Sequence, residues 1–126
     1  MIAGIYNITI EQGSTFLRLI SIEEPDLTAD PTGATFEDYV LSGHTARMQI
    51  RRTIESDTAM ISLTTENGGI TINPGTPQNE IKLSITAANT ATLLTSGVYD
   101  LEIIDSLGNV SKVLRGDVTV IPEVTK

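Results

Sequence analysis

The sequence predicts an all-β fold, an antiparallel β-sandwich of seven to eight short strands with one short helical turn. Three observations predict it. Thr, Ile and Val supply 18, 16 and 7 of the 126 residues, and β-branched side chains lose less freedom in a pleated strand than in a helix. Apolar and polar residues alternate with period two in one segment after another, the pattern of half-buried strands. Turn-forming Gly, Pro, Asn and Asp separate these segments at short intervals, as in sandwiches and barrels. A parallel sheet would need crossovers of about a dozen residues or more, and only one segment has helical spacing. A sandwich is favoured over a closed barrel, and residues 1–126 read as one domain of 13.5 kDa, since domains cluster at about 100–150 residues.

Taken in order, Tyr6, Ile8 and Ile10 alternate with Asn7, Thr9 and Glu11 as a first strand, which Gly13-Ser14 breaks. The run from Thr15 to Ile22 is more continuously apolar, so it is either covered on both faces or carries a bulge. From Glu23 to Gly43 the chain has no clear period and contains Pro25 and Pro31. Alternation returns at Ala46, Met48 and Ile50, with Arg47, Gln49 and Arg51 on the opposite face. Ala59, Ile61 and Leu63 repeat it. Glu66-Asn67-Gly68-Gly69 then reads as a hairpin turn, because Asn and Gly accept the positive φ of tight turns, with Ile70 to Asn73 as the partner strand.

Pro74, Gly75 and Pro77 close that unit, and Ile81, Leu83 and Ile85 form the next strand. Thr86 is placed to cap two helical turns over Ala87 to Leu94, which Ser96-Gly97 ends. Tyr99, Leu101 and Ile103 alternate with Asp100 and Glu102. Leu107-Gly108-Asn109 turns the chain, and Val110 to Val120 runs back with Gly116 expected as a bulge. Pro122 stops the last strand, leaving a frayed tail.

Composition excludes several function classes. Eight Lys and Arg against sixteen Asp and Glu leave a net charge of −8 and a pI near 4.4. That balance argues against a nucleic-acid footprint and against attraction to an anionic membrane. Cys is absent, which removes disulfides and thiolate metal ligands. MIAGIYNITIEQG lacks the basic and apolar regions of a signal peptide, so the expectation is a soluble protein made in a cytoplasm. The sequons at Asn7-Ile8-Thr9 and Asn109-Val110-Ser111 therefore carry no expectation of glycosylation.

Candidate chemistry is sparse. His44 is the sole histidine, so a paired-imidazole mechanism is excluded, and no Ser lies in a nucleophile-elbow context. A solvated or backbone-bonded imidazole is the ordinary reading there. The stretch from Glu23 to Asp38 carries six acids (Glu23, Glu24, Asp26, Asp30, Glu37 and Asp38) and no base. Asp26, Asp30, Glu37 and Asp38 could offer oxygens to Ca²⁺, but their spacing matches no D-x-D-x-D-G loop. A solvated connection is the simpler reading, with Phe36 and Tyr39 as anchors for a partner as the sharper one. Arg47 and Arg51 could meet an acidic partner or a phosphate. Alternatively they pair with Asp100 and Glu102 on a neighbouring strand. Tyr99 sits where the tyrosine corner of a β-sandwich would fall. No cofactor motif is present.

Four blocks of the chain resemble a known set of proteins. GIYNITIEQGSTFLR, TARMQIRR, EIKLSITAANTATLLTSGVYDLEI and VSKVLRGDVTVIPEVTK are similar to segments of small tailed-bacteriophage proteins, which close on G-x-V-x-V-x-x-E-V-T. The resemblance covers most of the chain except Glu23 to Ser42. It implies an immunoglobulin-like β-sandwich and a virion component of the tail, baseplate or neck, without enzymatic activity or cofactor. Such a module docks onto other virion structural proteins, in several copies around a symmetric ring, and is assembled in the bacterial host cytoplasm. The residues expected to make contacts are Phe36, Tyr39, Arg47 and Arg51, with Met1, Ile2 and Ile5 of the apolar leader. That leader equally fits simple continuation into the first strand. A carbohydrate- or ligand-binding sandwich and a capsid decoration protein are the alternatives.

Overall fold

The computed structural model describes residues 3–25, 27–29, 31–75 and 77–125. Strands are β1 (Gly4–Ile5), β2 (Ile8–Glu11), β3 (Phe16–Ser21), β4 (Glu23–Pro25), β5 (Phe36–Asp38), β6 (Thr45–Arg51), β7 (Ile61–Thr64), β8 (Ile70–Ile72), β9 (Glu80–Ile85), β10 (Gly97–Ile104) and β11 (Val110–Ile121), with helix α1 at Ala87–Thr90. The larger sheet runs β1-β11-β10-β6-β7, with β2 also on β11, and the smaller runs β3-β9-β8. The N-terminal strands lie parallel to the last strand, while the remaining ladders are antiparallel. Labelled as immunoglobulin strands, this is B-E-D against G-F-C with a C′ neighbour, the order of an immunoglobulin-like sandwich.

Alternation along the strands builds the core. Ile8, Ile10, Met48, Ile50, Leu101, Ile103 and Val118 of the larger sheet, and Ile70, Ile81, Leu83 and Ile85 of the smaller, are all buried. The intervening Arg47, Gln49 and Thr9 are exposed. Removal of apolar surface from water stabilises such a core by roughly 1.5–3 kcal/mol per large side chain. A single shift of register would turn these side chains to solvent.

Several local expectations are corrected. The Asn67-Gly68 turn does not close a hairpin. β7 pairs with β6 and β8 with β9, so the turn carries the chain from one sheet to the other. It is held by Asn67, whose Oδ1 accepts the amides of Thr64 and Gly69. The helix is one turn rather than two. Its Thr86 cap accepts the amide of Asn89 as expected, but Leu93 must bury itself fully, which draws the chain off the helical path.

The bulge in β11 lies opposite Leu101/Glu102, and Gly116 serves another purpose. A Cβ there would stand 2.4 Å from the Tyr6 carbonyl oxygen, so glycine allows the N-terminal strand to cross closely. Tyr99, opposite Gly116, reaches over it and donates its hydroxyl to that carbonyl at 2.5 Å. A tyrosine corner bonds a few residues upstream. Tyr99 instead ties β10 to the kink between β1 and β2. Burial, with a smaller contribution from Tyr6, pushes this phenol up to about 12 against the opposing charge of Arg18, so it remains a proton donor.

Candidate functional site

The segment between β3 and β6 is more ordered than its composition predicts. Glu23, Glu24 and Pro25 pair with Asp38, Glu37 and Phe36 in a short ladder of its own. Its base is pinned to the sandwich. The amide of Ile22 donates to the Asn79 carbonyl, Tyr39 N to Ile22 O, and Leu41 N to Gln78 O. Leu41 is fully buried and Asn79 nearly so, with the Asn79 amide nitrogen bonded to Ile22 O at 3.2 Å. One apolar side chain and one satisfied amide thus anchor an acidic hairpin that stands off the core.

This hairpin presents Phe36, 57% exposed, together with exposed Leu27 and Val40. Beyond its return strand the chain passes the β10–β11 turn, where a Cβ on Gly43 would lie 3.9 Å from Ser106 and where Leu107 is 86% exposed. That turn is rigid. Asp105 Oδ1 accepts the amides of Leu107 and Asn109, both at 2.9 Å, and these bonds from Asn109 and Leu107 hold its carboxyl below the ordinary range.

Tyr39 is half-buried against the core, and its ring meets His44 edge-on with centroids 5.6 Å apart. His44 Nδ1 lies 3.2 Å from the Ser42 carbonyl oxygen. A carbonyl only accepts, so Nδ1 donates to it, and Nε2 lies 3.4 Å from the Tyr39 hydroxyl. His44 is thereby occupied in holding the neck of the hairpin. Phe36 is exposed, whereas Tyr39 is partly structural.

The arginines sit on the outer face of the larger sheet. Arg47 stands opposite Glu102, and its Nε lies 2.6 Å from Glu102 Oε1. Lys112 reaches Glu102 at 2.5 Å and Asp100 at 3.0 Å. These contacts, from Lys112 first and Arg47 second, hold the Glu102 carboxyl below its ordinary value. Glu102 in turn raises Lys112. The expected local pairing therefore holds for Arg47. Arg51 binds instead to the Ser56 carbonyl and to Gln49 Oε1, both at 2.7 Å, and forms no ion pair among the described residues.

Ile5 is 74% exposed and pairs with Arg115, so the leader does continue into the sheet at this point. Met1 and Ile2 lie outside the described residues, as do Asp26 and Asp30 of the calcium alternative. Ile5 lies across β11 and β10 from the strand bearing Arg47 and Arg51, and Phe36 stands on the separate hairpin, so these residues form no single site. Among the described residues, no three His, Asp or Glu side chains are grouped to hold a metal ion. No described helix is long and apolar enough to cross a membrane.

One surface escaped the reading of residue types. The run from Thr15 to Ile22 is neither bulged nor covered on both faces. β3 pairs with β9 in unbroken register and leaves Leu17 and Leu19 mostly exposed. The signal in the sequence is continuous apolarity, which predicts cover on both faces or a bulge rather than an open edge. No known protein-family model matches this chain, and no curated protein matches it in sequence.

Proposed function

We propose that this protein is a structural component of a tailed-phage virion, a tail, baseplate or neck accessory that acts by docking onto other virion proteins. The observation that carries the reading is the loop end of the sandwich. There, large apolar side chains at Leu27, Phe36, Val40 and Leu107 are exposed on a pinned hairpin and a braced turn. Exposed apolar groups held on rigid supports favour association, because little ordering entropy remains to be lost on binding. The resemblance of the four sequence blocks to small phage proteins supplies the biological setting.

A sugar-binding module would need exposed aromatic platforms. Among the described aromatics only Phe36 is exposed, while Phe16 and Tyr99 are buried and Tyr6 and Tyr39 half-buried. Docking is therefore the better-supported function. The test is quantitative mass spectrometry of density-purified particles, comparing this chain with the major capsid and tail proteins. A few to a few dozen copies per particle is expected for a ring or baseplate accessory. Hundreds would move the protein to head decoration or the tube surface, and absence from particles would overturn the virion reading.

A further inference from the structure

Sheet edges are templates for added strands unless something blocks them. β8 has three residues and runs into Asn73, at φ 53, and Pro74; β7 and β2 have four residues each. β3 is different. It has six residues, no Pro, no Gly and no bulge, and no strand among the described residues pairs with its other edge. On its outer face Leu17 and Leu19 are 60% and 55% exposed, beside a groove of about 450 Å³ bounded by Pro74, Glu80 and Lys82.

Arg18 lies between these leucines and points to the inner side of the strand. Its guanidinium lies 5.2 Å from the centroid of the Phe16 ring and 5.8 Å from that of Tyr6, and it donates to the Tyr6 hydroxyl. It forms no ion pair among the described residues. The neighbouring cavity between β2 and β3, about 310 Å³, is walled by Thr9, Glu11, Ser14, Thr15 and Ile121. An inward-pointing charge on an edge strand discourages an all-apolar strand from adding there. The same cation rewards a strand that brings a carboxylate.

We infer that the open edge of β3 receives an extended segment of a partner protein carrying the pattern apolar–acidic–apolar, its acidic side chain meeting Arg18 and its apolar neighbours packing beside Leu17 and Leu19. Side chains directly opposite in an antiparallel pair share one face, with Cβ atoms about 4.5–5.5 Å apart, so a residue opposite Arg18 points inward with it. Main-chain bonds supply affinity and the alternating side chains supply selectivity. A second copy pairing through the same edge does not fit. Antiparallel registers that pair three or more residues of β3 with itself set Arg18 against Phe16, Arg18, Ile20 or Ile22, none of them an acid. A net charge of −8 on each copy opposes association further. This inference does not depend on the virion reading, since it concerns an edge and a charge that any partner would meet.

The test is an NMR titration of the ¹⁵N-labelled full chain with the capped peptide acetyl-Lys-Thr-Val-Glu-Val-Thr-Lys-amide and with its Glu-to-Gln counterpart. Shift changes should centre on the amides of residues 16–21, with the Glu peptide binding about tenfold more tightly, the scale of one charge-assisted bond. Arg18→Gln should abolish that preference. Should Arg18→Gln fail to fold, the two peptides on the unaltered chain still decide the matter. Equal affinity for both peptides, changes centred on β7 or β8, or no change at millimolar peptide would each overturn the inference.

Discussion

Tyr99→Phe tests the lock that fastens the first strands to the sandwich. The substitution deletes one oxygen and leaves the buried ring in place, so it opens no cavity for neighbours to fill. What it removes is the 2.5 Å bond to the Tyr6 carbonyl, leaving a half-buried acceptor beneath the crossing at Gly116. Loss of a net hydrogen bond together with an unpaired, partly desolvated carbonyl costs about 1–2 kcal/mol. Unfolding entropy of about 2.1 cal/mol/K per residue makes each kcal/mol worth about 4 °C in a chain of this length, so Tm should fall by about 4–8 °C.

The pH dependence gives an independent check. The folded phenol sits at about 12 and the unfolded one near 10.0. Its contribution is therefore fully present below pH 10 and is lost as pH rises from about 10 to about 12. The variant should lose less stability than the parent over that interval. Guanidinium and thermal melts followed by circular dichroism measure both effects. Tyr39→Phe serves as the comparison, because its 3.4 Å contact is too long to contribute more than about 0.5 kcal/mol. If Tyr99→Phe matched Tyr39→Phe in stability and kept the parent's alkaline limb, the lock would be refuted.

Four further outcomes follow from the structure. Leu41→Ala should cost about 2–5 kcal/mol, the range for emptying a fully buried leucine site, and should expose the hairpin base to limited proteolysis at residues 23–40. In Thr90→Val, the buried hydroxyl that accepts Gly13 N and donates to Ser14 O is lost; denaturant melts should show about 1–3 kcal/mol of destabilisation. Glu102→Gln should cost about 1 kcal/mol or less in low salt and almost nothing in 1 M NaCl. Because the Glu102 carboxyl is depressed, its contribution is present above the ordinary carboxylate range and is lost as pH falls through the folded value, so the variant's acid limb should be flatter. Phe36→Ser should leave stability within about 0.5 kcal/mol while reducing incorporation into particles, measured by mass spectrometry. A large loss of stability would place Phe36 in the core and remove it from the docking surface.

Much of this protein is legible in the order of its residues. Period-two alternation identifies Ile8/Ile10, Met48/Ile50 and Leu101/Ile103 as inward pairs and Ile81/Leu83/Ile85 as an inward triad, because a strand's side-chain period is a local property. Thr86 announces its cap and Leu107-Gly108-Asn109 its turn for the same reason, since both depend on bonds within a few residues. The opposition of Arg47 and Glu102 follows once β6 and β10 are taken as neighbours. Pairing partners, by contrast, are non-local. Only the folded chain sends β7 and β8 to different sheets, sets Gly116 under the Tyr6 carbonyl, and ties Tyr99 to a strand 93 positions away. Only it leaves one edge of β3 without a pairing strand among the described residues. The apolar run Thr15 to Ile22 reads alike whether another strand covers it or solvent does, because exposure is decided by what the rest of the chain leaves uncovered.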